Sequence, residues 1–304
     1  MKTRLFYLHA LTPLHVGVGQ AIGVVDLPIM RERSTQLPIV PGSTLKGVLR
    51  DEWALVDSAS PWAAARNHLV ELFGPDNLAD NGSAAHAGAL AFGDARPLLL
   101  PVRSLGGVVA WITCPFVLKR YARDAQLAGV QTPALPTTDS ANQARVATNH
   151  AAVIVSHGGQ EHLVLEELEL PVVADPAALQ PWVGHLAAML APLDAVAQDT
   201  LDRHLALVPD DDFAFLAETA TEVRARVRID DQTRTVKEGA LWYEENLPCE
   251  TVLWGVIGVG PARRPGAQQT TDAVNALLPA QQPQLIQMGG KQTVGRGLCR
   301  WMLA

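Results

Sequence analysis

From Thr221 to Asp230 the sequence TEVRARVRID alternates without a break. Val223, Ala225, Val227 and Ile229 fall on one side, and Arg224, Arg226 and Arg228 on the other. A helix would scatter both sets around its circumference, so a period of two admits a strand and excludes a helix. Asp230-Asp231-Gln232 then supplies turn chemistry, and TRTVKEGALWYEENLP runs back, which predicts a hairpin or meander. Three like charges on one strand face repel by roughly a few tenths of a kcal/mol per neighbouring pair. The stripe therefore calls for an anionic partner. That partner is either a phosphate backbone or the chain's own acidic segments, EELE at 166–169 or DDD at 210–212.

The rest of the chain mixes both periods. RLFYLHALTPLHVG reads as an opening strand that ends where Gly17 and Gly19 begin a loop. The loop runs from 17 to about 40, carrying Gly23, Asp26, Pro28 and Pro38 without a helical period. PGSTLKGVLRDEWALV follows as a helix, with Ser43 as N-cap and Leu45, Val48, Leu49, Trp53 and Val56 on one face. Lys46 and Arg50 lie four apart on the other side. PWAAARNHLVELFG predicts a second helix, GALAFGDARPLLLPVRS and GGVVAWITCP short strands, and PFVLKRYARDAQLAG a helix closed by Gly129. Residues 131–150 are polar and unpatterned and read as a mobile loop. The stretch from Pro181 to Val208 reads as helices, TVLWGVIGVG as a buried strand, and 271–279 as a helix before the extended end LIQMGGKQTVGRGLCRWML.

This order suits an α+β fold of the ferredoxin-like kind, with residues 1–304 as a single elaborated domain. The region from about 131 to 215 is expected as a mainly helical and loop insertion. A hydrophobic fraction of 48% supplies a core despite 21 prolines and 24 glycines. Three widely separated cysteines, Cys114, Cys249 and Cys299, match neither a disulfide framework nor a zinc site, and a reducing cytoplasmic setting follows. Neither a signal peptide nor an apolar run of membrane-spanning length is expected. The formal net charge of -7 argues weakly against nucleic acid, because the field along a groove matters more than the sum.

Two glycine-containing stretches present backbone N–H groups beside cations. In GGKQTVGRG, Gly289, Gly290, Gly295 and Gly297 accompany Lys291 and Arg296, and bare backbone there can approach a phosphate. The spacing matches neither a Walker A loop nor a Rossmann turn, so a tight turn between strands fits equally. In PGSTLKG, Ser43, Thr44 and Lys46 open a helix whose N-terminus attracts anions, while an ordinary capped helix accounts for the same residues. Asp26 sits alone in a charge-poor loop. It is either a turn residue or a group that holds a divalent cation or positions a nucleophile. His15 precedes the loop as a candidate acid or base, and a carboxylate partner would come from Glu244 or Glu245.

Taken in order, LTPLHVGVGQ, VVDLPIMRE, LPIVPGSTLKGVLRDEW, LFG, GALAFGDARPLLLPVRS, WITCPFVLKR, VKEGALWYEENLP and QMGGKQTVGRG carry a resemblance. The chain resembles the RAMP superfamily of CRISPR proteins, and within it the backbone subunits of type III-B (Cmr) effector complexes. The resemblance implies an RRM-like palm with an inserted thumb hairpin and helical fingers. It implies copies stacked head to tail along a CRISPR guide RNA, beside other subunits of the complex, with each thumb interrupting the guide–target duplex. The thumb falls either near 221–240 or in the insertion at 150–175.

The resemblance also implies a target-RNA endoribonuclease whose key residue matches Asp26, acting with a divalent metal ion (Mg or Mn). RNA supplies the neighbouring 2′-hydroxyl as nucleophile. His15 and Glu244 are weaker carry-overs as neighbours of the cut. Ser43, Thr44, Lys46 and Arg50 at one end, with Gly289, Gly290, Lys291, Gly295 and Arg296 at the other, become a groove for the guide backbone. The alternatives are a guide-binding scaffold without a cut, a metal-free nuclease maturing precursor CRISPR RNA, and a small-molecule phosphate site.

Overall fold

β1 (Lys2–Ala10) buries six consecutive residues, Leu5 to Ala10, because it has a strand on each side and cover on both faces. The structure is a computed structural model that describes residues 1–19, 25–75, 85–136, 142–193 and 197–304. The chain continues through α1 (Gly42–Leu55), α2 (Ala63–Arg66), α3 (Leu69–Phe73), β2 (Leu90–Phe92), β3 (Arg96–Ser104), β4 (Val108–Thr113) and α4 (Pro115–Leu127). Then come β5 (Ala144–Val146), β6 (Ile154–His157), β7 (Gln160–Leu165), β8 (Leu168–Ala174), α5 (Pro176–Leu190), α6 (Ala197–His204), β9 (Leu205–Leu207) and α7 (Asp210–Thr219). The last elements are β10 (Glu222–Ile229), β11 (Val236–Asn246), β12 (Val252–Val259), α8 (Thr271–Ala276), β13 (Gln284–Gln287) and β14 (Leu298–Leu303).

The fold is mixed α and β with a strand-rich core. Its centre is the antiparallel order β14-β1-β12-β2, with α1 in the connection from β1 to β2 and α8 in the connection from β12 to β14. One face of β1 carries Phe6, stacked on Trp301, which in turn meets Trp53 of α1 edge-on at 5.9 Å. The other face carries Tyr7, whose hydroxyl lies 3.0 Å from that of Tyr121 on α4. Leu45, Leu49 and Trp53 are the buried stripe of α1, at the spacing of the helical period.

β3 leaves this sheet to start a second half. It pairs with β12 through Arg96–Leu99 and with β4 through Leu100–Ser104. The path β4-β9-β5-β8-β7 then returns to β3 where Ser104 faces Leu165, so this half closes on itself. The region 131–215 therefore contributes five strands besides its helices. The expectation of helix and loop omitted them because pieces such as Ala144–Val146 and Leu205–Leu207 are too short to show a period. Residues 137–141, in the stretch expected as loop, lie outside the described residues. The helix expected at 61–74 is two short ones, α2 and α3.

β10 and β11 form a separate two-stranded ribbon, as the alternation predicted. Its apolar side is open, with Val223, Val227, Ile229, Val236, Leu241 and Tyr243 all exposed. Asp230 closes the turn by accepting the N–H groups of Gln232 and Thr233. Among the described residues no helix is long and apolar enough to cross a membrane.

Ser43 does not cap α1. The helix begins at Gly42 after Pro41, and the Gly42 N–H is met from across the fold by Asp94 Oδ1 at 2.8 Å. Gly42 is required there, since a Cβ would stand 2.3 Å from Phe92 O. Asp94 thus does from 52 residues away what the local serine was expected to do. Asp94→Ala is expected to destabilise the protein by about 1 kcal/mol. A lower urea midpoint at unchanged slope would show it.

Candidate active site

The end of β11 gathers groups from four parts of the chain. Residues after Asp26 run parallel to it: Leu27 N–H donates to Tyr243 O at 3.1 Å, and Glu245 N–H donates to Leu27 O at 3.0 Å. Asp26 stands exposed at the start of this short ladder, with Oδ2 accepting the Tyr243 N–H at 2.8 Å. Its Oδ1 has no hydrogen bond among the described residues. Residues 20–24, including Gly23 of the predicted loop, lie outside the described residues.

Trp242 and Glu244 alternate onto the cationic face of the ribbon. Glu244 is buried. Its Oε1 accepts from Trp242 Nε1 at 3.0 Å and lies 3.3 Å from Lys291 Nζ and 3.6 Å from Arg226 Nε. Burial alone would push this carboxyl up, but the indole N–H and the two cations outweigh it and hold it below the usual carboxylate range. Glu244 Oε2 is buried without a partner among the described residues. Two cations meet one carboxylate here, which leaves positive charge in excess. Two of the three arginines of the stripe are answered from within the ribbon, Arg224 by Glu222 and Arg226 by Glu244. The acidic segments are engaged elsewhere: Glu166 with Arg103, Glu169 with His162, and Asp210 with the Phe116 N–H.

His15 is buried between β11 and the glycine-rich loop. Its Nδ1 lies 2.7 Å from Glu245 O, and a carbonyl only accepts, so Nδ1 carries the proton. Nε2 faces Gly17, where a Cβ would stand 2.8 Å from it. The His15 carbonyl accepts the Gly290 N–H at 2.9 Å, and a Cβ on Gly289 would be 2.3 Å from that oxygen. Gly289, Lys291 and Gly295 all have positive φ, and the turn they make aims Lys291 at Glu244. Thus the structure joins Asp26, His15, Glu244 and Lys291, which are far apart in sequence.

The other residues of the predicted groove are placed differently. Arg296 is buried, its Nε without a partner among the described residues, and so it does not present its charge to solvent. Ser43 is exposed while Thr44, Lys46 and Arg50 are half-buried on α1. No hydrogen bond or ion pair among the described residues links Ser43, Thr44 or Lys46 to the loop 289–297.

Sequence reasoning missed the struts that hold the 26–40 segment. Glu245 Oε1 accepts from Arg31 and, at 3.0 Å, from the Thr221 hydroxyl; its Oε2 accepts the Ile29 N–H at 3.0 Å. Arg31 also donates to Gln36 O and Ala217 O. Glu32 receives both terminal nitrogens of Arg120 at 2.7 Å, with the Thr35 hydroxyl and Arg96 nearby. Alternating acids and bases in VVDLPIMRER were the available signal, but their partners lie up to 217 residues away.

A divalent ion fits this site at one residue. Among the described residues no three His, Cys, Asp or Glu side chains converge into a metal cage. Glu244 already faces two cations, so it does not fit as a ligand. Asp26, exposed with a free oxygen, fits as a single hard donor, the kind a Mg²⁺ ion that keeps most of its waters would take.

The chain matches the RAMP superfamily over residues 7–300. It is 35% identical, over 99% of its own length and 95% of the relative's, to a Pyrococcus furiosus protein described as CRISPR system Cmr endoribonuclease Cmr4. Its structure is similar to that of oligomeric Cmr4 from Pyrococcus furiosus, with a TM-score of 0.69 at 28% identity, covering 100% of this chain and 98% of that one. It also shares its fold, at a TM-score of 0.72 and 19% identity, with a chain of the type III-B Cmr-beta complex bound to cognate target RNA; 100% of this chain and 97% of that one are covered.

The anchoring of the loop sets a pH dependence. The Arg120 hydrogen bonds, more than offsetting burial, bring the Glu32 carboxyl down to about 2. A depressed carboxylate contributes stability above its unfolded pKa near 4.3 and loses it as pH falls toward the folded value. Glu32→Gln is therefore expected to cost about 1–2 kcal/mol at pH 7, allowing for solvent screening. That cost should shrink between about pH 4.5 and 2, as read from urea unfolding across that range.

Proposed function

The chain belongs to the RAMP superfamily, and from that premise we propose that it is a guide-RNA-binding backbone subunit of a type III-B CRISPR effector complex. In that complex it cuts guide-complementary target RNA endonucleolytically at regular intervals. Its partners are the CRISPR guide RNA, the target RNA, further copies of itself in a helical filament, and the other Cmr subunits, in the cytoplasm. The order β14-β1-β12-β2 with two crossover helices supports an RRM-like palm. The ribbon β10-β11 is read as the thumb, because it stands apart from the main sheet with an open apolar side. The helices α5 to α7 are read as the fingers.

Asp26 is the catalytic residue in this reading. The observation that carries it is an exposed carboxylate with one oxygen fixed by the Tyr243 N–H and the other free, beside a cluster with positive charge in excess. A divalent ion on Asp26 would supply charge stabilisation to a phosphate oxygen. The chain's own groups do the rest. The Glu245 carbonyl leaves His15 Nε2 unprotonated in the neutral ring, so that atom can take the proton of a target 2′-hydroxyl. That hydroxyl attacks the adjacent phosphorus, the 5′-oxygen departs, and a cyclic phosphate remains. Lys291 and Arg226 hold positive potential near the developing negative charge. Ser43, Thr44 and Lys46 at the opening of α1 serve the guide backbone, which has to be held without regard to its sequence.

The test is cleavage of a guide-matched RNA by the assembled complex with Mg²⁺ or Mn²⁺, comparing wild type with Asp26→Ala. The variant is expected to bind target with unchanged affinity and to lose the ladder of cuts by a factor of 100 or more. A surviving ladder would make the chain a scaffold and Asp26 a structural acceptor for Tyr243.

A further inference from the structure

We infer that Glu245 is a positioning residue of the cut, setting both the tautomer of His15 and the register of the Asp26 segment. The inference rests on the nuclease reading above. In the parallel ladder, Leu27 N–H meets Tyr243 O and Glu245 N–H meets Leu27 O. The next bond in such a ladder would run from Ile29 N–H to Glu245 O. It is not made. Ile29 N–H goes instead to the side chain of the same residue, Glu245 Oε2, at 3.0 Å.

The carboxylate thereby stands in for its own carbonyl. The released Glu245 O is the atom that receives His15 Nδ1–H at 2.7 Å. One substitution of acceptors produces two results. The Asp26 segment stays in register on β11, and His15 is locked with its proton on Nδ1 and Nε2 bare. Arg31 and the Thr221 hydroxyl occupy the other carboxylate oxygen, so Glu245 cannot rotate away from Ile29 without abandoning both. The residue is buried, so its part in the cut is to hold other groups in place.

The prediction separates position from charge. Glu245→Ala removes the substitute acceptor, and Ile29 N–H then competes with His15 for the residue 245 carbonyl. Glu245→Gln keeps one carbonyl oxygen for Ile29 and is expected to rescue. Because Glu245→Ala leaves the partly buried Arg31 without its carboxylate, the double variant Arg31→Met, Glu245→Ala provides the same test should the single variant unfold. Two readouts are taken. The first is single-turnover cleavage by the guide-loaded complex, with target binding measured in parallel. The second is the ring-nitrogen NMR spectrum of His15 in the full-length chain with labelled histidine, assigned by the His15→Gln variant.

In the alanine variants, cleavage is expected to fall at least tenfold at unchanged target binding, with the His15 spectrum leaving the Nδ1–H form. Glu245→Gln should remain within about threefold of wild type. An unchanged His15 spectrum in the alanine variants overturns the inference, whether or not cleavage falls. So does a glutamine variant as impaired as alanine. If Asp26→Ala still cuts in the same assay, the nuclease reading has failed, and the His15 spectrum decides the positioning claim by itself.

Discussion

A carboxylate taken out of water has to find donors for its lone pairs, and Glu245 finds three in two segments far from it in the chain or across the ribbon, Ile29 and Arg31 in one and Thr221 in the other. That demand ties the loop after β1, the end of α7 and the root of the ribbon into one unit. The residues proposed for the chemistry are satellites of it. Asp26 reaches its place because the segment beyond it is pinned, and His15 because a carbonyl has been left free. Desolvated charge is costly and so is a misplaced partner, which makes such a junction stiff. Stiffness is what in-line phosphoryl chemistry requires, since it depends on geometry more than on reactive groups.

Much of the frame was legible in the sequence. The alternation of TEVRARVRID, the apolar run of β1 and the helical stripe of Leu45, Leu49 and Trp53 each identify an element through its own period. Where a property depends on a distant partner, the sequence is silent. Ser43 was a reasonable cap until Asp94 took the N–H. The strands β5 to β9 are three to seven residues long and borrow their conformation from neighbours.

The site followed the same division. Asp26 and His15 are visible as isolated polar residues near glycines, but the pair Glu244–Glu245 looks equivalent. Adjacent strand residues face opposite ways, so one met Lys291 and Arg226 while the other met Arg31. Arg296 is expected from the sequence to meet a phosphate, yet the turn that aims Lys291 at Glu244 folds Arg296 in. The net charge proved equally uninformative, because the acids at 210–212 sit in the first turn of α7, where the helix favours them.

The sheet's two terminal strands carry a consequence for how copies of such a chain can meet. β13 and β6 end the strand order, and each is four residues long. The second half has closed upon itself, which removes what would otherwise be longer free borders. Strand addition needs a run of unpaired amide and carbonyl groups, and two such stubs offer little of it. Polymerisation by backbone pairing at the ends of the main sheet, the route that leads other sheet proteins into amyloid, is therefore poorly served. At those ends, association between copies is left to side-chain surfaces, where spacing and order along a shared strand of nucleic acid can be specified.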